Sequence, residues 1–278
     1  MIYALTTFDT LVGFRSTAEV FRVLAPIDSP YTNKLSAQLQ EFPGFAGIVR
    51  LVESILTEPP EPAEFDYIAV KCADLVRQGI DVKRAYATAV EISSLHPHDP
   101  GLIVALLLNR LTLQPGEAAF LDTGVIHAHL KGMGLEVMST SDNVLRAGLT
   151  SKHLDPRGLV ETLETGMSMV ARVSPEMAGP TTDIFAPGAE DFALSITQVS
   201  RGEPVGVNLP AVGARIIVCT GGEVWLRADS GAQTSLRRGE SVYVAPEDGV
   251  VNVSGTGEVA QAFAPTASDE KSPLVDLV

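Results

Sequence analysis

The sequence has few cysteines and no long apolar run. Its two cysteines, Cys72 and Cys219, stand far apart in 278 residues. This excludes a disulfide-stapled fold and favours a reducing compartment, so we expect a cytoplasmic protein. The longest apolar run, residues 102–108, is far shorter than the roughly 18–20 residues that span a bilayer, so no membrane association is predicted. The N-terminus shows no signal-peptide pattern.

Positive charge is also scarce. Lys and Arg number 20 against 34 Asp and Glu, which gives a formal net charge of −14. An acidic surface repels a phosphate backbone, so nucleic acid is not an expected partner. A small anionic substrate remains compatible with this charge, because a few cations can converge in one pocket. The hydrophobic fraction of 45% predicts a sizeable core, enough for one large domain or about two.

Apolar spacing predicts that roughly the first 110 residues are helical. Phe45, Ile48, Val49, Val52 and Ile55 recur at the i, i+3, i+4, i+7 spacing of one helical face. Helices are predicted at residues 17–24, 35–42, 45–56, 64–78, 82–94 and about 102–109. A helical domain is therefore predicted over residues 1–109.

Beyond residue 110 the pattern changes to short runs typical of strands, separated by glycine and other turn residues. Two strands meeting at Pro115-Gly116 precede predicted strands at 125–130, 134–138 and 144–147. Residues 165–190, rich in Pro, Gly, Ala and Thr, are predicted to form an irregular connector. Further strands are predicted at residues 193–199, 213–219, 223–228, 233–236, 241–244, 250–254 and 258–264. The predicted fold class is α+β.

The two β-regions share a sequence element. Residues 113–124 resemble residues 236–247, and each predicts a strand, a tight Gly-Glu turn, a second strand and a loop. This element resembles the signature of cupin β-barrels, and its repetition indicates two related β-domains. We therefore predict cupin-type barrel or jelly-roll regions: the remaining part of a catalytic cupin domain over 110–165 and a C-terminal cupin-like domain over 166–278.

His127 and His129 are the first candidates for chemistry. Residues two apart on a strand face the same side, and neutral imidazole is a common metal ligand. A buried or surface-paired histidine is the alternative for each. The cupin-like loop favours His127 as a metal ligand, whereas His129 is predicted to line the pocket wall and contact the substrate.

The stretch that follows is more specific. It continues with Glu136 and the block Ser141-Asp-Asn-Val-x-Arg146-x-Gly-x-Thr-x-Lys152. Together with His127-Ala128 and the N-terminal run 4–15, it closely resembles the type I mannose-6-phosphate isomerase (phosphomannose isomerase) family of the cupin superfamily. The resemblance covers nearly the whole chain. It implies an aldose–ketose isomerase of carbohydrate metabolism that interconverts mannose 6-phosphate and fructose 6-phosphate by zinc-assisted proton transfer through a cis-enediol.

The resemblance also implies residue roles. His127 is a zinc ligand, Arg146 matches the family's catalytic arginine, and Lys152 matches an active-site lysine that neutralises the substrate phosphate. A guanidinium stays charged and can hold an enediolate or a phosphate with paired donors. Glu136 is the best acid–base candidate, with a pocket-wall acceptor as its alternative.

The sequence departs from the family's zinc ligands, which are a Gln-x-His pair, a glutamate ending an Asn-His-Lys-Pro-Glu motif, and a later histidine. Neither motif occurs here, so His127 is the one ligand that the resemblance leaves. This predicts little isomerase activity for the chain alone, and self-association that covers an exposed barrel edge. The alternative function is a non-catalytic cupin-like module that binds a sugar or a partner.

Overall fold

Two strands precede the first helix. β1 spans Ile2–Ala4 and β2 spans Phe8–Phe14, and every residue of both is buried. The structure is a computed structural model that describes residues 1–141, 144–163, 171–200, 205–210 and 213–265. The prediction of a helical N-terminus is therefore wrong for residues 2–14. Strands covered on both faces lack the apolar–polar alternation that reveals half-exposed strands.

The predicted helices are confirmed, with shifted ends. The helices are α1 (Thr17–Leu24), α2 (Pro30–Glu41), α3 (Phe45–Thr57), α4 (Pro62–Arg77), α5 (Ala85–Leu95), α6 (Gly101–Leu106) and α7 (Pro156–Thr162). Ser16 caps α1 in a capping box with Glu19. The second helix begins five residues before the predicted Leu35, because Ser29 caps it and Pro30 occupies its first position.

Strands from the first part of the chain form two small antiparallel sheets. The further strands are β3 (Leu108–Leu113), β4 (Ala118–Phe120), β5 (His127–Lys131), β6 (Gly134–Glu136) and β7 (Ala171–Val173). One sheet has the order β6-β1-β4-β7 and the other β3-β2-β5. The strands on either side of Pro115-Gly116 thus pair with β2 and β1, not with each other. The predicted strand at residues 144–147 is not present.

The C-terminal part is one larger antiparallel sheet. Its strands are β8 (Glu176–Gly179), β9 (Thr182–Phe185), β10 (Ala193–Val199), β11 (Val207–Asn208), β12 (Arg215–Ala228), β13 (Gln233–Arg237), β14 (Ser241–Val244) and β15 (Val251–Phe263). Their order is β13-β12-β15-β10-β9-β8, with β11 on β15 and β14 on β12. No closed barrel is formed by the residues that the structure describes.

Two predictions in this region are wrong. Residues 213–219 and 223–228 belong to one strand, because the chain between them forms a bulge at Thr220 and not a turn, and Gly221 and Gly222 continue the pairing with β15. A Cβ atom on Gly222 would lie 2.1 Å from the Thr256 carbonyl oxygen, so only glycine permits the two strands to approach this closely. The connector at 165–190 contains β7, β8 and β9, although its composition is that of a loop.

The core places the helices beneath β2. Buried residues of α1 to α6 pack with Leu11 and Phe14 of that strand and with Ile126, just before β5. The predicted division at residues 109 and 165 remains a prediction, but β1 and β2 pair with strands from the 110–165 region. Within the described ranges, no helix combines the length and apolar character needed to cross a bilayer.

Candidate metal centre and active site

Neighbouring edges of the two small sheets bring three potential metal ligands together. His127 and His129 lie on β5, two residues apart, and Glu136 ends β6. One ligand atom from each lies within 4.8 Å of the others, and all three residues are exposed. The sequence predicted three separate roles for them, a ligand, a pocket-wall residue and an acid–base group. The structure groups them in one cluster.

The His127 ring is oriented by the backbone. Its Nδ1 lies 2.9 Å from the carbonyl oxygen of Val125. A carbonyl oxygen only accepts, so this contact assigns the proton to Nδ1 and leaves the lone pair on Nε2. A histidine whose second nitrogen donates to a carbonyl is the usual arrangement in protein metal sites.

His129 is oriented by a buried threonine. The Thr10 hydroxyl donates to the Ala128 carbonyl oxygen at 3.1 Å and lies 3.1 Å from Nδ1 of His129. Because the hydroxyl proton is already donated to the Ala128 carbonyl oxygen, the hydroxyl can only accept from Nδ1–H of His129. This tautomer leaves a lone pair on Nε2 of His129. Phe8 packs edge-on against the ring at 5.2 Å between centroids. Both histidines therefore present Nε2 to the cluster.

Glu136 completes the group from the second sheet. Its Oε1 lies 3.3 Å from Nε2 of His129. The contact with His129 is the largest influence on this carboxyl; when Nε2 is protonated it donates to the carboxylate and lowers the pKa of Glu136, although partial burial opposes ionisation. A metal ion bound at Nε2 would take the place of that proton. The ionised carboxylate is the form that binds a metal.

A buried ion-pair network fastens β5 to the helices. Arg110, with a side chain only 1% exposed, donates to Asp9 at 2.6 Å and to Glu91 of α5 at 3.0 Å. Lys131, at the end of β5, lies 3.3 Å from Glu91 and 3.7 Å from Asp9. Burial opposes ionisation of Asp9, but hydrogen bonds from Arg110 and Thr112 outweigh it and lower the pKa of Asp9 to about 2. The strand that carries both histidines is thereby tied to α5.

The segment that carries Arg146 lies against the helical core. Leu145, Ala147 and Leu149 pack on that core, at alternate positions. Arg146 falls between them, is partly buried, and donates to the Val144 carbonyl oxygen at 3.2 Å. Anchoring on both sides limits where its guanidinium can reach.

Lys152 follows in an exposed stretch after the same segment. Its backbone N–H donates to the Thr150 hydroxyl at 3.1 Å. Among the described residues, neither Lys152 nor Arg146 makes a hydrogen bond or ion pair with the metal-ligand cluster. Asp142 and Asn143, also part of the sequence block, lie outside the described residues, as does the tail beyond 265.

Comparison with known proteins gives the family. The mannose-6-phosphate isomerase of Salmonella typhimurium is 32% identical over 265 residues, which cover 95% of this chain and 65% of that protein. The Escherichia coli enzyme is 33% identical over 265 residues, which cover the same fractions of this chain and of that protein. A crystal structure of the Salmonella enzyme bound to its substrate and a zinc atom matches with a TM-score of 0.78 at 30% identity, over 95% of this chain and 66% of that one.

The chain belongs to the mannose-6-phosphate isomerase family. It spans about 65% of the length of the curated relatives. The α+β fold with cupin-type regions that the sequence predicts for this chain is confirmed by the structural match. No family model matches the sequence.

Sequence reasoning missed the groups that support the cluster. Asp9, Thr10, Glu91 and Arg110 come from three distant segments, and no spacing in the sequence joins them. The one available signal was the alternation along β5, which puts His127 and His129 on one side of the strand. The register shift after His129 was not predictable, and it pairs Lys131 with Asp9.

Proposed function

We propose that this chain catalyses the interconversion of mannose 6-phosphate and fructose 6-phosphate at the metal-ligand cluster. The observation that carries the proposal is the grouping of His127, His129 and Glu136 in a fold that matches a zinc- and substrate-bound relative. The expectation of little activity rested on one ligand. Three donor groups change that expectation.

The donor set fits zinc. Two imidazole nitrogens and a carboxylate are the ligands of His₂Glu catalytic zinc sites, which keep a position open for water or substrate. The Nδ1 hydrogen bonds to Val125 and Thr10 fix the tautomer that such ligation needs. When bound, zinc would supply Lewis-acid polarisation of the sugar oxygens. We therefore propose that this chain's own three residues hold the ion.

The remaining groups would handle charge and protons. An aldose–ketose shift moves a proton between C1 and C2 and builds negative charge on the enediolate oxygens. We propose that Arg146 stabilises that charge or the phosphate, and that Lys152 neutralises the phosphate. Glu136, if not engaged as a ligand, is the proton carrier. Its lowered pKa favours the ligand role, because a proton carrier works best with a pKa near the working pH.

Two further proposals concern self-association of the chain and its location in the cell. The outer edge of β6 has no partner strand among the described residues, and such an edge favours pairing with another chain. We propose self-association through it, measurable by sedimentation of the purified chain. The reducing environment indicated by two buried free cysteines supports a cytoplasmic location.

The proposed activity is tested by zinc-dependent turnover. Purified chain, stripped of metal and then given zinc, is assayed for fructose 6-phosphate formation from mannose 6-phosphate. We expect turnover that requires zinc, falls at least about a hundredfold in His129→Ala, and is unchanged in His96→Ala, a histidine outside the cluster. Stoichiometric zinc without turnover would contradict the proposal and favour the non-catalytic sugar- or partner-binding module.

A further inference from the structure

An exposed tryptophan stands on the outer face of the C-terminal sheet. Trp225, the one tryptophan of the sequence, lies on β12 and is 52% exposed. Burying an indole stabilises a fold more than burying almost any other side chain, so one left open on a regular strand indicates a contact surface. Trp225 lies in the C-terminal sheet, whereas the metal-ligand cluster lies on the two small sheets, so the two features belong to different sheets.

The indole ring packs against a glycine of the neighbouring strand. Gly255 of β15 lies beneath it, with φ of +112°, and a Cβ atom there would come within 2.9 Å of Trp225 Cε3 and 3.1 Å of Cζ3. Any side chain at this position would push the ring away. The glycine therefore fixes a large aromatic surface against the sheet and leaves the rest of it open.

Small hydroxyl groups flank the ring. Ser235 of β13 and Ser254 of β15 are the cross-strand partners of Trp225 on either side. Serines leave room beside the indole, and the three residues help to line a surface concavity of about 550 Å³. That volume is in the range of small-molecule sites, about 300–1,000 Å³.

The next cross-strand row supplies oriented polar groups. Gln233 and Asn252 are the partners of Arg227, and all three line the same concavity. The Asn252 amide donates to the side-chain oxygen of Asn208 at 2.8 Å, which fixes its direction. Among the described residues, the side chains of Gln233 and Arg227 make no hydrogen bond or ion pair.

The charge of the concavity selects the ligand class. Arg227 is the one charged side chain among its described lining residues, and the nearby Arg237 is paired with Glu223 at 3.1 Å. A single cation on a chain of net charge −14 does not favour a nucleic-acid strand, although bases also stack on tryptophan. A ligand with many hydroxyls and no charge fits the serines and amides better.

We propose that this face is a carbohydrate-binding subsite for a neutral hexopyranoside or a short oligosaccharide. The apolar C–H face of the sugar ring stacks on Trp225, and its hydroxyls bond to the serine, amide and guanidinium groups around it. The proposal is independent of the isomerase activity, since it uses none of the residues of the metal-ligand cluster.

The single tryptophan makes the test direct. The indole N–H signal in a ¹H–¹⁵N spectrum, and fluorescence excited at a wavelength that tyrosine does not absorb, both report Trp225 alone. We expect both to change saturably with methyl α-D-mannopyranoside, methyl β-D-glucopyranoside or maltotriose, with a Kd on the order of 1 mM. These glycosides lack a phosphate and have a blocked or unphosphorylated reducing end, so isomerase substrate binding does not explain a response.

Variants separate the subsite from unspecific effects. Backbone amide shifts on β13 and β15 measure sugar binding where tryptophan is absent. Trp225→Ala is expected to weaken binding roughly tenfold or more and Trp225→Phe less, whereas Tyr243→Ala, which removes an aromatic that is 62% exposed on β14, leaves it unchanged. Circular dichroism checks that each variant folds. No response at 100-fold the expected Kd, binding that survives Trp225→Ala, a response to oligo-dT instead of sugars, or self-association through this face would each overturn the proposal.

Discussion

At the residue scale, the feature that prepares the cluster is the tautomer of each histidine. Val125 and Thr10 each accept from an Nδ1–H group, and so both imidazoles offer Nε2. Thr10 is fully buried, and its hydroxyl is held in turn by the Ala128 carbonyl. A solvent-exposed pair of ligands thus depends on one buried hydroxyl.

Thr10→Val tests this dependence. The substitution keeps the β-branched shape and removes the acceptor for Nδ1 of His129, so the ring loses its fixed tautomer and orientation. We expect zinc affinity to fall about 10–100-fold, the usual effect of removing an outer hydrogen bond to a ligand, as measured by competition with a chelating dye. Thr7→Val, at an exposed position on the same chain segment, is the matched control. Equal affinities in both variants would contradict the role given to Thr10.

At the scale of elements, the network of Asp9, Glu91, Arg110 and Lys131 joins β2, β3 and β5 to α5. The most buried ion pair of the network joins Asp9 and Arg110, whose side chains are 4% and 1% exposed. Removing one partner of such a pair leaves an uncompensated buried charge and is strongly destabilising. The strand carrying the histidines is therefore held by groups that are not themselves part of the metal-ligand cluster.

This network predicts a pH dependence of stability. The pKa of Asp9 is about 2 in the fold, below its ordinary value of 3.8. A lowered carboxyl pKa stabilises the fold above about pH 4 and loses that contribution, about 2 kcal/mol, as the pH falls through 2. Urea unfolding followed by the helical signal should show a fall in the free energy of unfolding between pH 4 and 2 that is shallower in Asp9→Asn. Exposed Asp191→Asn should behave as wild type; identical slopes in all three proteins would refute the assignment.

The segment carrying Arg146 depends on a close approach at Gly148. A Cβ atom there would lie 2.8 Å from the backbone of Gly101, at the start of α6. Gly148→Ala should lower stability by about 1–3 kcal/mol more than Gly116→Ala, since Gly116 shares a positive φ but has open space around it. Thermal unfolding compares them. We also expect reduced turnover in Gly148→Ala alone, because Arg146 is displaced; equal stability losses would show that the contact does not matter.

At the scale of the whole molecule, the sequence predicted local features, namely the positions of individual helices and strands. The apolar spacing of residues 45–56 gave α3 nearly to the residue, and residues 193–199 and 241–244 gave β10 and β14 with their observed ends. Strand pairing and the ion-pair network were not predictable, because Asp9 and Arg110 are brought together by folding and by no pattern along the chain. The residues of the candidate site were all named, but their grouping required the placement of β5 and β6 at the edges of the two small sheets.

The central claim is that His127, His129 and Glu136 together hold one zinc ion, and metal analysis of the purified chain tests it most directly. After removal of metal, reloading with zinc and dialysis, elemental analysis should find one zinc per chain. We expect this occupancy to be lost in His127→Ala, His129→Ala and Glu136→Gln and kept in His96→Ala. Absence of bound zinc in the wild-type chain, or one zinc per chain in all four variants, would contradict the account.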